Sequence, residues 1–495
     1  MNGAAIAGSL LGAALIAAGG LALADLVPFL RGRAFLARLG WAWLLGCAWL
    51  GGSAYAASHV LHLPLRRGVL LPLALVPIAA ALGRRLHARG AFLARPAQPR
   101  LSAFEGTLVS LLLAFGALVT AGLVANALAT PVTDWDGKMT WVAQARFIRG
   151  ARSVDAPALR DPAAWVVHPR YPVLMPVLQV AVQEIADASW DARVVRPLYA
   201  LFWPALLLVL FDAASARAGR LAAAVATMAL ACARTPAFSP HGGAAGTYSD
   251  LPLACFWGAG LLLLASEGAG LVEGLAAGLL LAAAVLTKTE GLPLACIALA
   301  AAFAWALAGR RLGAHRAPLL AAAACVAAAA LLLASWRSGI APRYDAGQVN
   351  AFGLAAFAKG TVTRLPEAAR TCLAAMANRR EWGLTWLLLP FGLGLGARRL
   401  GRLEALPLGA ALAGALALYA SAYALSVWPV GTLAEVTWDR LLVQMALPLF
   451  VLLALALAPR RQFRFQTNDR APWRRTRPSG ARKTATISWG PESPI

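Results

Sequence analysis

Between Ala103 and Ala129 the chain runs through about 27 mostly apolar residues, then turns abruptly polar in the loop TDWDGKMTW, Thr133 to Trp141. A helix needs roughly 20 apolar residues to cross a hydrocarbon core. "AAIAGSLLGAALIAAGGLALA" and "LLVQMALPLFVLLALALA" repeat the pattern near the two ends of the chain. The first is followed by further apolar spans and by no small-residue cleavage site, so it reads as a retained helix and not a signal peptide. At 60% hydrophobic residues the chain exceeds the 45–50% usual for soluble domains. The expected fold class is all-α, a polytopic transmembrane helix bundle.

About thirteen spans are expected, near 4–27, 41–58, 69–82, 103–129, 197–215, 221–235, 251–266, 271–286, 292–308, 317–335, 384–396, 405–425 and 440–458. Arginines mark alternate loops: Arg31, Arg33 and Arg38; Arg84, Arg85, Arg89, Arg95 and Arg100; Arg217 and Arg220; Arg310, Arg311 and Arg316; Arg398, Arg399 and Arg402. The opposite short loops hold only Arg66, Arg67 and Lys288. Positive residues gather on the cytoplasmic side, which puts the N-terminus outside and the tail inside. The segments 130–196 and 336–383 then face outward, and Tyr171–Ile185 reads as a helix lying on the outer leaflet. Four regions follow: three N-terminal helices (1–102), a core module (103–335), a second outer loop with the last helices (336–458), and a basic, disordered tail (459–495).

The net charge of +23 is scattered among loops, which speaks for membrane topology and against a nucleic-acid partner. Five of the six cysteines lie in apolar stretches and Cys372 in an expected loop; no CxxC or Cys/His spacing points to a metal or a disulfide frame.

Polar motifs converge on the outer face: TDWDGKMTW, HPRYP (168–172), YSDLP (248–252), TKTEG (287–291) and WDR (438–440). Singly, Asp250 and Asp439 could cap helices, Trp135, Trp141 and Trp438 could sit in an interfacial belt, and Lys288 could snorkel. Together they suit group transfer from a lipid-linked phosphate, with a carboxylate as general base and cations holding the phosphate.

In their order, "WDGKMTWVAQARFI", "HPRYPVLMPVLQ", "YSDLPLA", "LTKTEGLPL" and "WDRLLVQMALP" resemble the GT-C superfamily of polytopic membrane glycosyltransferases over roughly 103–458. The likeness is to the bacterial branch with lipid A aminoarabinose transferases, protein O-mannosyltransferases and rhizobial lipopolysaccharide core transferases. The resemblance implies a seven-helix module with long outer loops after its first and seventh helices, as the charge pattern places them here. It implies a catalytic aspartate at Asp136, with Asp134 the alternate, and a lipid-phosphate lysine at Lys288. Lys138 and the three preceding spans depart from the family pattern.

The expected activity is inverting transfer of a sugar from a polyprenyl-phosphate donor to an envelope glycan, lipid or protein acceptor. It would take place at the periplasmic face of a bacterial inner membrane. Arg170 joins Lys288 on the phosphate, with His168, Glu290, Asp250 and Arg440 as further substrate contacts. No cofactor is expected; "DWD" could hold a divalent metal, but a monophosphate leaving group is one that cations can neutralise. The alternatives are a lipid-linked glycan flippase and a non-catalytic envelope-assembly protein. Membrane-impermeant labelling of single cysteines should reach position 136 from outside and miss 89 and 310; the reverse pattern overturns the topology.

Overall fold

A computed structural model describes residues 3–87, 101–341 (without 162, 165, 166 and 188–191), 354–397 and 403–458. The tail from Pro459 and the arginines at 89, 95, 100, 398, 399 and 402 lie outside these described residues. Residues up to Ala458 form one compact unit, all-helical and without a strand among the described residues.

Seven helices are long and apolar enough to cross a membrane: Ala7–Leu26, Arg67–His87, Ala103–Ala129, Arg193–Ala218, Gly291–Ala308, Leu312–Ser338 and Leu406–Leu425. An eighth results if Val430–Gln444 and Ala446–Leu457, bent by 60°, count as one span. The other expected stretches are also helical, but several are short. At 1.5 Å per residue, the 12 residues of Arg220–Ala231 reach about 18 Å, against a core of about 30 Å.

The bend has a local cause. Pro448 has no N–H to give the Gln444 carbonyl four residues before it. That carbonyl instead accepts from the Trp257 indole at 2.8 Å.

The structure corrects the leaflet-bound helix. In Leu174–Ile185 every residue except Glu184 is buried. Gln179 donates to the Tyr199 hydroxyl at 2.8 Å, and Gln183 accepts from Arg149 at 2.7 Å. An interfacial helix keeps a polar face in water; this one spends its glutamines on protein partners. Cys372, expected in a loop, lies on Leu365–Met376, and all six cysteines are free.

Helix Phe35–His59 steadies the end of Leu312–Ser338. His59, ending Phe35–His59, meets both oxygens of Asp155 at 3.1 Å and Ser335 at 3.1 Å. Trp336 donates its indole N–H to the Val154 carbonyl at 3.0 Å. These contacts fix the last turn of Leu312–Ser338, which carries Arg337. In a background without native cysteines, cysteines at Val177 and Val180 should resist both water-soluble and lipid-soluble thiol reagents. Labelling by the lipid-soluble reagent would restore the leaflet-bound helix.

Candidate functional site

The chain leaves helix Leu271–Thr287 at Lys288, in extended backbone, and starts the next helix at Gly291. A Cβ on Gly291 would stand 1.8 Å from the Ala284 carbonyl oxygen, so only glycine lets the chain turn this tightly. The turn aims Lys288 inward, where it is buried rather than snorkelling.

Its target is Asp250, the first residue of Asp250–Leu264 and one position before the expected span. The Asp250 carboxylate is fully buried. One oxygen accepts from Lys288 Nζ at 2.8 Å and from Gln444 Nε2 at 2.5 Å; the other accepts from Arg440 Nε at 3.2 Å. It is therefore a hub and not a helix cap. Burial alone would raise the Asp250 carboxyl, but Arg440 and Lys288 outweigh it and hold it at about 2. The Lys288 ammonium, which burial would lower, ends above its ordinary value because Asp250 and Glu290 face it.

Two further carboxylates extend the row. Glu290 reaches Lys288 at 3.0 Å, and Asp136 Oδ2 reaches Arg440 at 3.2 Å. The Arg440 guanidinium also stacks over the Tyr248 ring, 4.6 Å from its centre. The Tyr248 hydroxyl accepts from the Asp136 backbone N–H at 3.4 Å and meets His241 Nδ1 at 3.3 Å. Burial, then the Asp136 charge, pushes this phenol up to about 12, so it keeps its proton at neutral pH. The row thus joins Asp136, Arg440, Asp250, Lys288 and Glu290, three carboxylates to two cations.

Asp134 and Asp136 part company. Asp134 is buried, and its Oδ2 accepts from Thr247 Oγ1 at 2.6 Å and Thr247 N at 3.2 Å. A Cβ on Gly137 would lie 1.9 Å from Asp134 Oδ2 and 2.0 Å from Thr247 Oγ1, so the D-W-D-G order is built around this closure. Beyond it, Gly137–Val142 widens into a π-helical turn, a form frequent at functional sites. Asp136 is left facing outward, its side chain 27% exposed. Its Oδ1 has no hydrogen-bond partner among the described residues.

The HPRYP loop packs against the Gly137–Val142 turn and the helix that follows it. His168 stacks on Tyr171 (4.4 Å between ring centres), and Tyr171 packs 5.8 Å from Trp141. Gln144 donates to the His168 carbonyl at 2.8 Å. Arg337 binds the Arg170 carbonyl with Nε at 2.8 Å and the Thr289 hydroxyl with a terminal nitrogen at 3.3 Å. His168 and Arg170 are held through their backbone carbonyls, by Gln144 and Arg337. Arg170 Nε is buried without a hydrogen-bond partner among the described residues.

Some aromatic and acidic residues serve differently from the sequence reading. Trp135 is 59% exposed, as a belt residue would be, whereas Trp141 is buried at 1%. Asp439 is not a helix cap; it accepts from the Trp382 indole at 2.7 Å.

The sequence reading missed Gln444, Thr247, Tyr248 and Arg337. Gln444 had a signal: it stands four residues after Arg440, on the same helix face. Its side-chain oxygen accepts from the Tyr419 hydroxyl at 2.6 Å. Arg337 had none, since 167 residues separate it from Arg170. Among the described residues, no group of three or more His, Cys, Asp or Glu side chains could hold a metal ion. Comparison of the chain with protein-family models, curated proteins and solved structures finds no match.

Asp250→Ala should destabilise the purified protein by about 3–5 kcal/mol, because it takes the buried carboxylate from Lys288 and Arg440 and leaves each cation only a partly exposed partner. Adding Lys288→Met should recover part of that loss. Equal melting temperatures for Asp250→Ala and the wild type would remove Asp250 as the hub.

Proposed function

We propose that this chain is a GT-C-like membrane glycosyltransferase. It moves a sugar from a polyprenyl-phosphate donor to an envelope glycan, lipid or protein acceptor, with inversion. The observation that carries the reading is the state of two groups at one end of an apolar helical body. Among the described residues, Asp136 has one oxygen tied to Arg440 and the other open, and Arg170 holds a buried Nε without a hydrogen-bond partner.

In this reading Asp136 Oδ1 takes the proton of the acceptor hydroxyl as its oxygen bonds to the anomeric carbon. The bond from that carbon to the phosphate oxygen breaks, and polyprenyl phosphate leaves with one more negative charge than the donor phosphodiester carried. Cations that meet this growing charge lower the barrier. Arg170, and Lys138 two residues past Asp136, suit that role better than Lys288, which two carboxylates already engage. Lys288 and Arg440 instead hold Asp250 and Asp136 in place.

We place about thirteen spans in a bacterial inner membrane, with the row opening on the periplasmic side, and assign the step no metal. Supporting this, Asp134 is committed to Thr247, and a monophosphate leaving group is within reach of arginine and lysine.

A lipid-linked glycan transporter is the second reading. The 60° bend at Met445 and the buried polar Gln444 favour it, since transporters place broken helices and polar groups in the membrane. The chemistry separates the two. With polyprenyl-phosphate sugar and acceptor, Asp136→Asn should cut transfer by about 10²–10⁴-fold while donor binding survives. Asp134→Asn should be milder and show itself as lost stability, and a chelator should leave the rate unchanged. Wild-type transfer by Asp136→Asn would sink the enzyme reading; retained donor translocation by the same variant would support the transporter.

A further inference from the structure

A second charged cluster sits at the opposite end of helix Leu271–Thr287 from Lys288, about 25 Å away for 17 residues. There the ends of Gly3–Leu26, Pro28–Arg31, Phe35–His59 and Arg67–His87 bring four guanidiniums onto one residue, Asp25. Arg38 pairs with one of its carboxylate oxygens and Arg85 with the other. The Asp25 backbone carbonyl accepts from Arg31 Nε at 3.0 Å and from Arg84 at 3.0 Å. These are the partners the four arginines have among the described residues.

The local charge does not balance. The nearby Glu273 accepts from the backbone N–H groups of Phe29 and Gly270, and the neighbouring Arg33 pairs with Asp212 at 3.4 Å. Five arginines therefore meet three carboxylates, a surplus of two positive charges. Arg38 Nε and Arg84 Nε are buried with no hydrogen-bond partner among the described residues. Burial, then the Arg84 charge, lowers the Arg31 guanidinium, a sign of mutual repulsion. A guanidinium offers five N–H donors in a planar fork that suits phosphate oxygens. Arg85, its side chain 66% exposed, is the arm that solvent or lipid can reach.

We infer that the arginines around Asp25 form a receptor for one phosphate group, supplied by the headgroup of an anionic lipid. Three of the helix ends belong to apolar helices, so the cluster lies where headgroups lie. A phosphodiester would neutralise half of the surplus and take up idle donors of Arg84 and Arg85.

The test uses the full-length protein in phosphatidylcholine vesicles doped with phosphatidylglycerol, extracted and weighed by native mass spectrometry. The wild type should retain phosphatidylglycerol in preference to phosphatidylcholine. Arg84→Gln and Arg85→Gln should each weaken that retention about fivefold, while helix content stays unchanged by circular dichroism. Arg311→Gln, which breaks the separate Arg311–Glu267 pair, should leave it intact. Equal retention of both lipids by the wild type overturns the proposal. So does an equal loss in Arg311→Gln, which would reveal only a general basic surface. Inorganic phosphate, added against chloride at matched ionic strength, distinguishes the sources. If phosphate binds while the lipids show no preference, the receptor takes the free ion and the lipid assignment fails. Should Arg84→Gln not fold, the exposed Arg85→Gln decides.

Discussion

The site depends on taking one carboxylate out of water. Asp250 is wholly enclosed, and an isolated charge there would cost several kcal/mol. What makes it tolerable is that its two oxygens find Lys288, Gln444 and Arg440, from one other helix, Val430–Gln444, and one inter-helix turn. Each of those groups is in turn held: Gln444 by Tyr419, Arg440 by Asp136 and Tyr248, Lys288 by Glu290. Because the carboxylate sits where water cannot stand in for a missing partner, the row forms as a set. It is this interlock, more than any single contact, that brings loops far apart in sequence to one end of the helical body.

Two loops with similar words in them use those words differently. In D-W-D, one aspartate closes the loop on Thr247 and the other stays partly open. Gly137 enforces the division, since a side chain there would collide with both members of the closure. The same economy appears at TKTEG, where Gly291 permits the turn and the charged residues beside it make the pairs. Position within a turn, not residue type, separates the scaffold residue from the exposed one.

Much of this was legible in the sequence. Long apolar runs gave the helices, because hydrophobic length is a local property. The clustering of Asp136, Asp250, Lys288, Glu290 and Arg440 followed from placing five motifs on one side of a charge-ordered bundle. What escaped depends on tertiary packing. Leu174–Ile185 has an apolar face and three polar residues, so its composition matches a leaflet helix. Only its neighbours show that Gln179 and Gln183 are spent on Tyr199 and Arg149. Arg337 looked like any arginine at the end of a span, yet it ties Arg170 to Thr289. The bend at Met445 was present in Pro448, but which donor would take the released Gln444 carbonyl, Trp257, was not.

The distance in sequence between Asp250 and Arg440, 190 residues, bears on how the chain is made. A ribosome delivers Asp250 first, Lys288 38 residues later, and Arg440 and Gln444 only with the last helices. Until then Asp250 has a single cation, and Asp136 lacks the arginine that orients it. Val430–Gln444 therefore closes the row only when it packs against the earlier helices, and a nascent chain released before residue 440 carries the earlier motifs without their geometry.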